Sequence, residues 1–182
     1  MTLSSHQQPH RGETDVWLTP PEILAAVGPF DLDPCALIDR PWDTAAKHYT
    51  IEDDGLSRPW EGFVWCNPPF GPEAAKWLRR LAEHGNGIAL VPARTETRWF
   101  VEHVWKAADG VLFLHGRPHF HYPDGTRGKA NSGAPICLIA YGNEAWYSLA
   151  HCGLSGSLVS RWSDPNPQPH EAQTGRQGNG GS

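Results

Sequence analysis

Asn67-Pro68-Pro69-Phe70 follows directly on the apolar run Phe63-Val64-Trp65-Cys66, and its residue types suit one kind of reactant, a planar amine. The Asn67 side chain brings a carbonyl acceptor. Pro68 and Pro69 have no N–H, and Pro69 pushes residue 68 into an extended conformation, so the Pro68 carbonyl is held outward as a second acceptor. Phe70 adds a flat apolar plate. The exocyclic amine of adenine is a poor nucleophile because its lone pair is delocalised into the ring. Two acceptors for its two N–H bonds favour a pyramidal nitrogen whose lone pair can attack a methyl group. His115, His119 and His121, with Asn131, would suggest a metal or an HNH-like nuclease, yet no acidic or cysteine ligand accompanies them at a recognisable spacing. Cys35, Cys66, Cys137 and Cys152 form no C-x-x-C pair, so neither a zinc site nor a disulfide framework is indicated.

Such groups need strands that end at one edge, and the sequence supplies them. Thr19-Pro20-Pro21-Glu22 reads as a capping box with Pro at the first helical position, opening a helix over about 20–27 with Ile23, Leu24 and Val27 on one face. Gly28-Pro29 ends it, and Phe30–Asp33 is a short strand running into Pro34. Residues 34–60 are irregular, with one helical turn expected near Asp43–His48 and a turn at Asp53-Asp54-Gly55. After the Phe63–Cys66 strand, Ala74, Ala75, Leu78, Leu81 and Ala82 recur at helical spacing up to Gly85. Strand Ile88–Val91, loop Pro92–Glu96 and a helix carrying Phe100, Val101, Val104, Trp105 and Ala108 repeat the pattern. Val111–Leu114 and Pro135–Tyr141 are further strands, the latter expected to form a C-terminal hairpin with 117–120 through the polar loop 121–134, before a helix around 143–152. Short apolar strands alternating with helices predict an α/β fold, an open, mostly parallel sheet with helices on both faces. In such sheets ligands sit beyond the carboxyl ends of the strands, where Asp33, Asn67 and Arg94 all fall.

The 182 residues, 39% hydrophobic and 10% aromatic, can close one core. Nine Trp and only 19% charged residues exclude a disordered chain. Polar, Pro- and Gly-rich ends over 1–14 and 163–182 read as disordered tails around a single domain at 15–162. No apolar run approaches the roughly 20 residues that span a bilayer, and MTLSSHQQPHRGE has no apolar signal segment, so a cytoplasmic protein is expected; a monomer is expected as well. The net charge of −5 hides an asymmetry: residues 1–60 hold four basic and ten acidic side chains, residues 94–129 six basic and four acidic. One half suits a cation and the other a polyanion.

Taken in order, TPPEI, FDLDPCA, EDDGL, VWCNPPFG, VPARTETRWF and GRPHF, spread over most of 15–142, resemble the phage-type DNA N-6-adenine methyltransferases, which use S-adenosylmethionine. The resemblance implies base binding at Asn67–Phe70 and cofactor binding at Thr19, Pro20, Asp31, Asp33, Pro34 and Ala36, with Asp53 or Asp54 on the ribose hydroxyls. Asp31 and Asp33 would attract the ammonium of the methionine portion, and the helix starting at Thr19 would offer N–H groups to its carboxylate. Double-stranded DNA is the implied partner. Arg94, Thr95, Thr97 and Arg98, beyond the strand next to Asn67, and Arg117, Arg127 and Lys129 in the long polar loop are the candidate phosphate and groove contacts for a flipped-out adenine. The wider methyltransferase class has a Gly-rich loop after its first strand, and here Pro34-Cys35-Ala36 stands instead. The motif specifies only the amine, so an RNA base or a protein amide stays open as substrate, as does a non-catalytic nucleic-acid-binding module of the same fold.

Overall fold

The apolar runs become the strands of one sheet. The computed structural model describes residues 17–160, and the tails expected at 1–14 and 163–182 lie outside the described residues. In chain order the elements are α1 (Pro21–Val27), β1 (Leu32–Asp33), β2 (Lys47–His48), β3 (Val64–Cys66), α2 (Ala74–His84), β4 (Gly87–Pro92), α3 (Arg98–Phe100) running on into a π-helical turn (Val101–Trp105), β5 (Gly110–Leu114), β6 (Ile136–Tyr141), α4 (Asn143–His151) and β7 (Gly156–Ser160). The sheet order is β2-β1-β3-β4-β6-β5-β7. Neighbours pair in parallel from β2 to β4, whereas β6 lies antiparallel between β4 and β5, and β7 lies antiparallel on β5. Strand β5 therefore runs with the first four, and the sheet is mostly parallel, as the alternation of strands and helices predicts.

Both faces are covered, which is why the strands are apolar on both. Trp65, Ile88, Leu90, Leu138 and Ala140 point to one side, where they pack with Ile23, Leu24 and Val27 of α1 and Ala145 and Leu149 of α4. Val64, Cys66, Ala89, Val91 and Ile139 point to the other, against Leu78 and Leu81 of α2 and Phe100 and Val104. Each buried Leu or Ile contributes roughly 1.5–3 kcal/mol through apolar area removed from water. Gly85, at φ 76, caps α2 and donates to Leu81 O at 2.9 Å.

Four local readings are corrected by the fold. The turn expected near Asp43–His48 is instead a run of bends into β2, because Lys47 N donates to Asp31 O at 2.9 Å and Tyr49 N to Asp33 O at 2.8 Å, giving β1 a parallel neighbour. The hairpin partner of β6 is β5, not 117–120; residues 115–135 form the connection, tied by the bridges Leu18–His121 and His121–Arg127. Helix α1 has Pro20 at its N-cap without a side-chain cap, so the capping box does not form. The helix expected around Phe100–Ala108 is a single α-turn widened into a π-turn, in which Lys106 N reaches back to Val101 O at 3.2 Å. Strand β7 was not foreseen, since its half-exposed, small-residue run lacks a strand's apolar signal.

The turn at Asp53-Asp54-Gly55 is pressed onto the end of β1. A Cβ on Gly55 would stand 1.9 Å from the Pro34 carbonyl oxygen and 3.3 Å from Tyr49 Cβ, so only glycine lets the two segments meet. Gly133 has nothing within 4 Å of the same position. Gly55→Ala is expected to cost about 1–3 kcal/mol by overpacking, and Gly133→Ala to stay within about 0.5 kcal/mol of wild type. Thermal and urea melts compare them; equal stability of the two variants would show that the Pro34 contact does not constrain the fold.

Candidate active site

The carboxyl edge of the sheet collects the reactive groups. Strand β1 ends at Asp33, paired in register with His48 of β2, and only 4% of Asp33 is exposed. Its carboxylate accepts hydrogen bonds from Cys35 N at 3.0 Å and from the Thr44 hydroxyl. Burial pushes the carboxyl up to about 6, since the charged form loses its water, while the Thr44 and Cys35 hydrogen bonds and the nearby Arg40 pull the other way.

The adjacent strand, β3, delivers Asn67. Its Nδ2 donates to the Trp17 carbonyl at 3.3 Å, while Oδ1 is buried with no partner among the described residues. Trp17 is itself held in place. The next residue, Leu18, exchanges both backbone hydrogen bonds with His121, at 2.9 and 3.0 Å, and the Trp17 ring lies 5.1 Å from that of Tyr122. Pro68 is buried, Pro69 is exposed, and Phe70 is 45% exposed, its ring edge-on to Phe120 at 6.2 Å. Beneath the motif the free thiols of Cys35 and Cys66 lie 3.9 Å apart.

Two cavities meet at this point. One, of about 170 Å³, is lined by Thr19, Asp33, Ala36, Arg40, Trp42, Thr44 and Asn67, among others. The other, about 960 Å³, is lined by Arg94, Thr97, Trp99, Phe120, Tyr122, Lys129 and Asn131, among others. Trp17 and Phe70 line both and form the partition between them. Thr19 is 3% exposed and its Oγ1 has no partner among the described residues, a second polar atom left open on the smaller cavity.

The expected site residues divide accordingly. Thr19, Asp33, Ala36, Asn67, Pro68, Pro69 and Phe70 come together around the smaller cavity, with Pro20 and Pro34 buried beside it. Asp31 is turned away: it precedes β1, and its carboxylate accepts from Phe63 N at 2.7 Å. Asp53 accepts from the backbone and hydroxyl of Thr50, which hold it below the usual carboxylate range. Asp54, at φ 52, accepts from the Ser57 hydroxyl, and neither lines a cavity described above. Arg94, Thr97 and Lys129 line the larger cavity, where the Thr97 hydroxyl donates to Arg94 O at 2.7 Å. Thr95, Arg98, Arg117 and Arg127 are exposed outside its lining. The three histidines do not converge: His115 pairs with Ser157, His119 with Gly128 O, and His121 sits in the backbone bridge.

Sequence reasoning missed Trp17, Arg40, Thr44 and, in the aromatic wall of the larger cavity, Phe120 and Tyr122. Arg40 alone carried a signal, as one of four basic side chains in an acidic stretch of sixty residues. Among the described residues no three His, Cys, Asp or Glu side chains form a group able to hold a metal ion. No described helix is long and apolar enough to cross a membrane.

No curated protein and no solved structure matches the chain. The family model described as DNA N-6-adenine-methyltransferase (Dam) matches residues 6–161, which include every residue placed above. The chain therefore belongs to the DNA N-6-adenine-methyltransferase (Dam) family.

Proposed function

We propose that the protein methylates N6 of adenine in double-stranded DNA at Asn67-Pro68-Pro69-Phe70, taking the methyl group from S-adenosylmethionine. The observation that carries this reading is Asn67 Oδ1, buried and unpaired while its Nδ2 is tied to Trp17 O, so that the amide presents a fixed acceptor to an incoming amine. An unpaired buried acceptor costs roughly 1–3 kcal/mol, a cost that a substrate N–H removes. The Pro68 carbonyl supplies the second acceptor, and the exposed Phe70 ring supplies the stacking plate for a flipped base.

The smaller cavity, about 170 Å³, suits the amino-acid portion of the cofactor by the chemistry of its donors and acceptors. Asp33 offers a buried carboxylate to an ammonium, Thr19 Oγ1 awaits a polar partner, and Ala36 adds apolar wall. When bound there, S-adenosylmethionine supplies a methyl group activated by its positively charged sulfur. Asp53 and Asp54 accept hydrogen bonds within their own turns and line neither cavity, so the ribose is assigned to neither of them. Arg94 and Lys129 flank the larger cavity, where phosphates beside an extruded nucleotide would run, and the 115–135 connection, with Arg117 and Arg127, is the segment long enough to enter a groove. Base selection then comes from loops of the same domain.

Asn67→Ala should lower the methylation rate by about a hundredfold or more, roughly 3–4 kcal/mol of lost transition-state stabilisation, with cofactor affinity little changed. Transfer of labelled methyl groups to DNA reads the rate, and near-normal turnover would remove Asn67 from the mechanism. Asp33 must be ionised to hold a cation, so cofactor affinity should fall as pH is lowered through about 6, the value to which burial raises this carboxyl. Arg40 opposes that shift in part, and the neighbouring Cys35 stays a neutral thiol because Cys66 and burial hold it well above its usual range.

The same raised value means that the folded state favours neutral Asp33. Its stabilising contribution is fully present below the unfolded value near 4 and is lost as pH rises through about 6. Asp33→Asn should therefore be at least as stable as wild type at pH 8 while binding S-adenosylmethionine tenfold or more weakly; calorimetry showing unchanged affinity would reject the role. For DNA, replacing Arg94 and Lys129 by Ala should weaken binding and flatten its salt dependence by roughly one log–log unit per lost phosphate contact. Unchanged affinity and slope would move the phosphate path away from this cavity.

A further inference from the structure

The amino-acid end of S-adenosylmethionine carries a carboxylate as well as an ammonium group, and a buried carboxylate needs a partner. The start of α1, where the sequence points, is poorly equipped for it. Pro20 and Pro21 have no N–H, Ile23 N and Leu24 N both turn back to Pro20 O at 3.0 and 3.4 Å, and Glu22 puts a like charge in the first turn. Among the described residues Arg40 is the one Lys or Arg side chain on the wall of the smaller cavity.

Its guanidinium is held in position. Nε donates to Asp43 Oδ1 at 3.1 Å, Nη1 to the carbonyls of Leu37 and Ile38 at 3.2 and 3.5 Å, and Nη2 lies 3.0 Å from His48 Nδ1. Burial and the Arg40 charge keep His48 below its usual titration range, so a neutral imidazole faces the cation. A guanidinium carries five N–H groups: Nε and Nη1 engage three of them, and Nη2, which faces a neutral His48 whose Nε2 already accepts from Thr44 N and Ala45 N at 3.2 and 3.3 Å, keeps at least one hydrogen for a ligand. The buried, unpartnered Thr19 hydroxyl on the same cavity is an independent sign of a ligand not yet accounted for. A surface arginine that only braced its loop would not need to line the cavity that holds Asp33.

We propose that Arg40 binds the carboxylate of the amino-acid portion of S-adenosylmethionine while Asp33 binds its ammonium, so that the cavity selects a zwitterion. The assignment rests on the cofactor reading above. Calorimetric titration of the wild-type protein, Arg40→Ala, Arg40→Lys and Asp33→Asn with S-adenosylmethionine and with its decarboxylated analogue tests it. Wild type should bind the intact cofactor roughly ten- to hundredfold more tightly than the analogue, the range expected for one charge-assisted hydrogen bond. Arg40→Ala should abolish that preference by weakening the intact cofactor alone, and its retained grip on the analogue shows that the cavity is still folded. Arg40→Lys keeps the charge without the fork and should fall between. Asp33→Asn should weaken both compounds, since both keep the ammonium. Equal weakening of the two ligands by Arg40→Ala, or a wild-type protein that does not distinguish them, would show Arg40 to be a loop brace and overturn the proposal. Failure of the wild type to bind either compound would overturn the cofactor reading itself, and this assignment with it.

Discussion

The hydrogen bond from Asn67 Nδ2 to the Trp17 carbonyl joins residues fifty positions apart, and the rest of the site is arranged around it. An amide that donates through its nitrogen must turn its oxygen the other way, so this bond fixes the direction of Oδ1 without any contact to the oxygen itself. The bond in turn requires the 17–19 segment to be immobile. Its exchange of backbone hydrogen bonds with His121 provides that, and the Trp17–Tyr122 ring contact reinforces it. The long 115–135 connection therefore buttresses the motif from behind, which links the segment proposed for DNA with the acceptor proposed for the base.

The sheet sorts charge as well as shape. Asp33 lies at the end of β1 on the smaller cavity, and Arg94 and Lys129 lie past β4 and before β6 on the larger one. The smaller cavity thus carries Asp33 with Arg40, and the larger one Arg94 and Lys129 with Glu96, across a partition of Trp17 and Phe70. A zwitterion on one side and a polyanion on the other would each meet complementary charge, and the aromatic partition separates the two fields with material of low dielectric.

Much of this was legible because it depends on local chemistry. Buried strands announce themselves as apolar runs, α2 by its Ala74, Leu78 and Leu81 spacing, and the Pro-Pro pair by what it does to the backbone at Asn67. What stayed hidden depends on distant partners. Asp31 and Asp33 look alike in sequence, yet one is spent on Phe63 N and the other lines the cavity, a difference set by which side of a two-residue strand each ends on. Likewise Asp53 and Asp54 read equally well as ribose ligands or as turn formers, and only their hydrogen bonds to Thr50 and Ser57 show how they are used. Strand β2 was invisible because Lys47-His48 has no apolar signature and forms by pairing with β1.

The turn after β1 explains why side chains matter so much here. In a Gly-rich loop, free backbone N–H groups approach a ligand closely. At Pro34-Cys35-Ala36 none is free: Pro34 has no N–H, Cys35 N is bound to Asp33 Oδ1 at 3.0 Å, and Ala36 N is bound to Tyr49 O at 2.9 Å. The pressed-in Gly55 closes the other side of Pro34. Recognition in the smaller cavity therefore draws on the residues that line it, Thr19, Asp33, Arg40 and Asn67 among them, rather than on backbone N–H groups of this turn. Recognition by ionisable side chains depends on pH and on the charge of the ligand in a way that a cradle of amides does not, because amides keep the same dipoles at every pH.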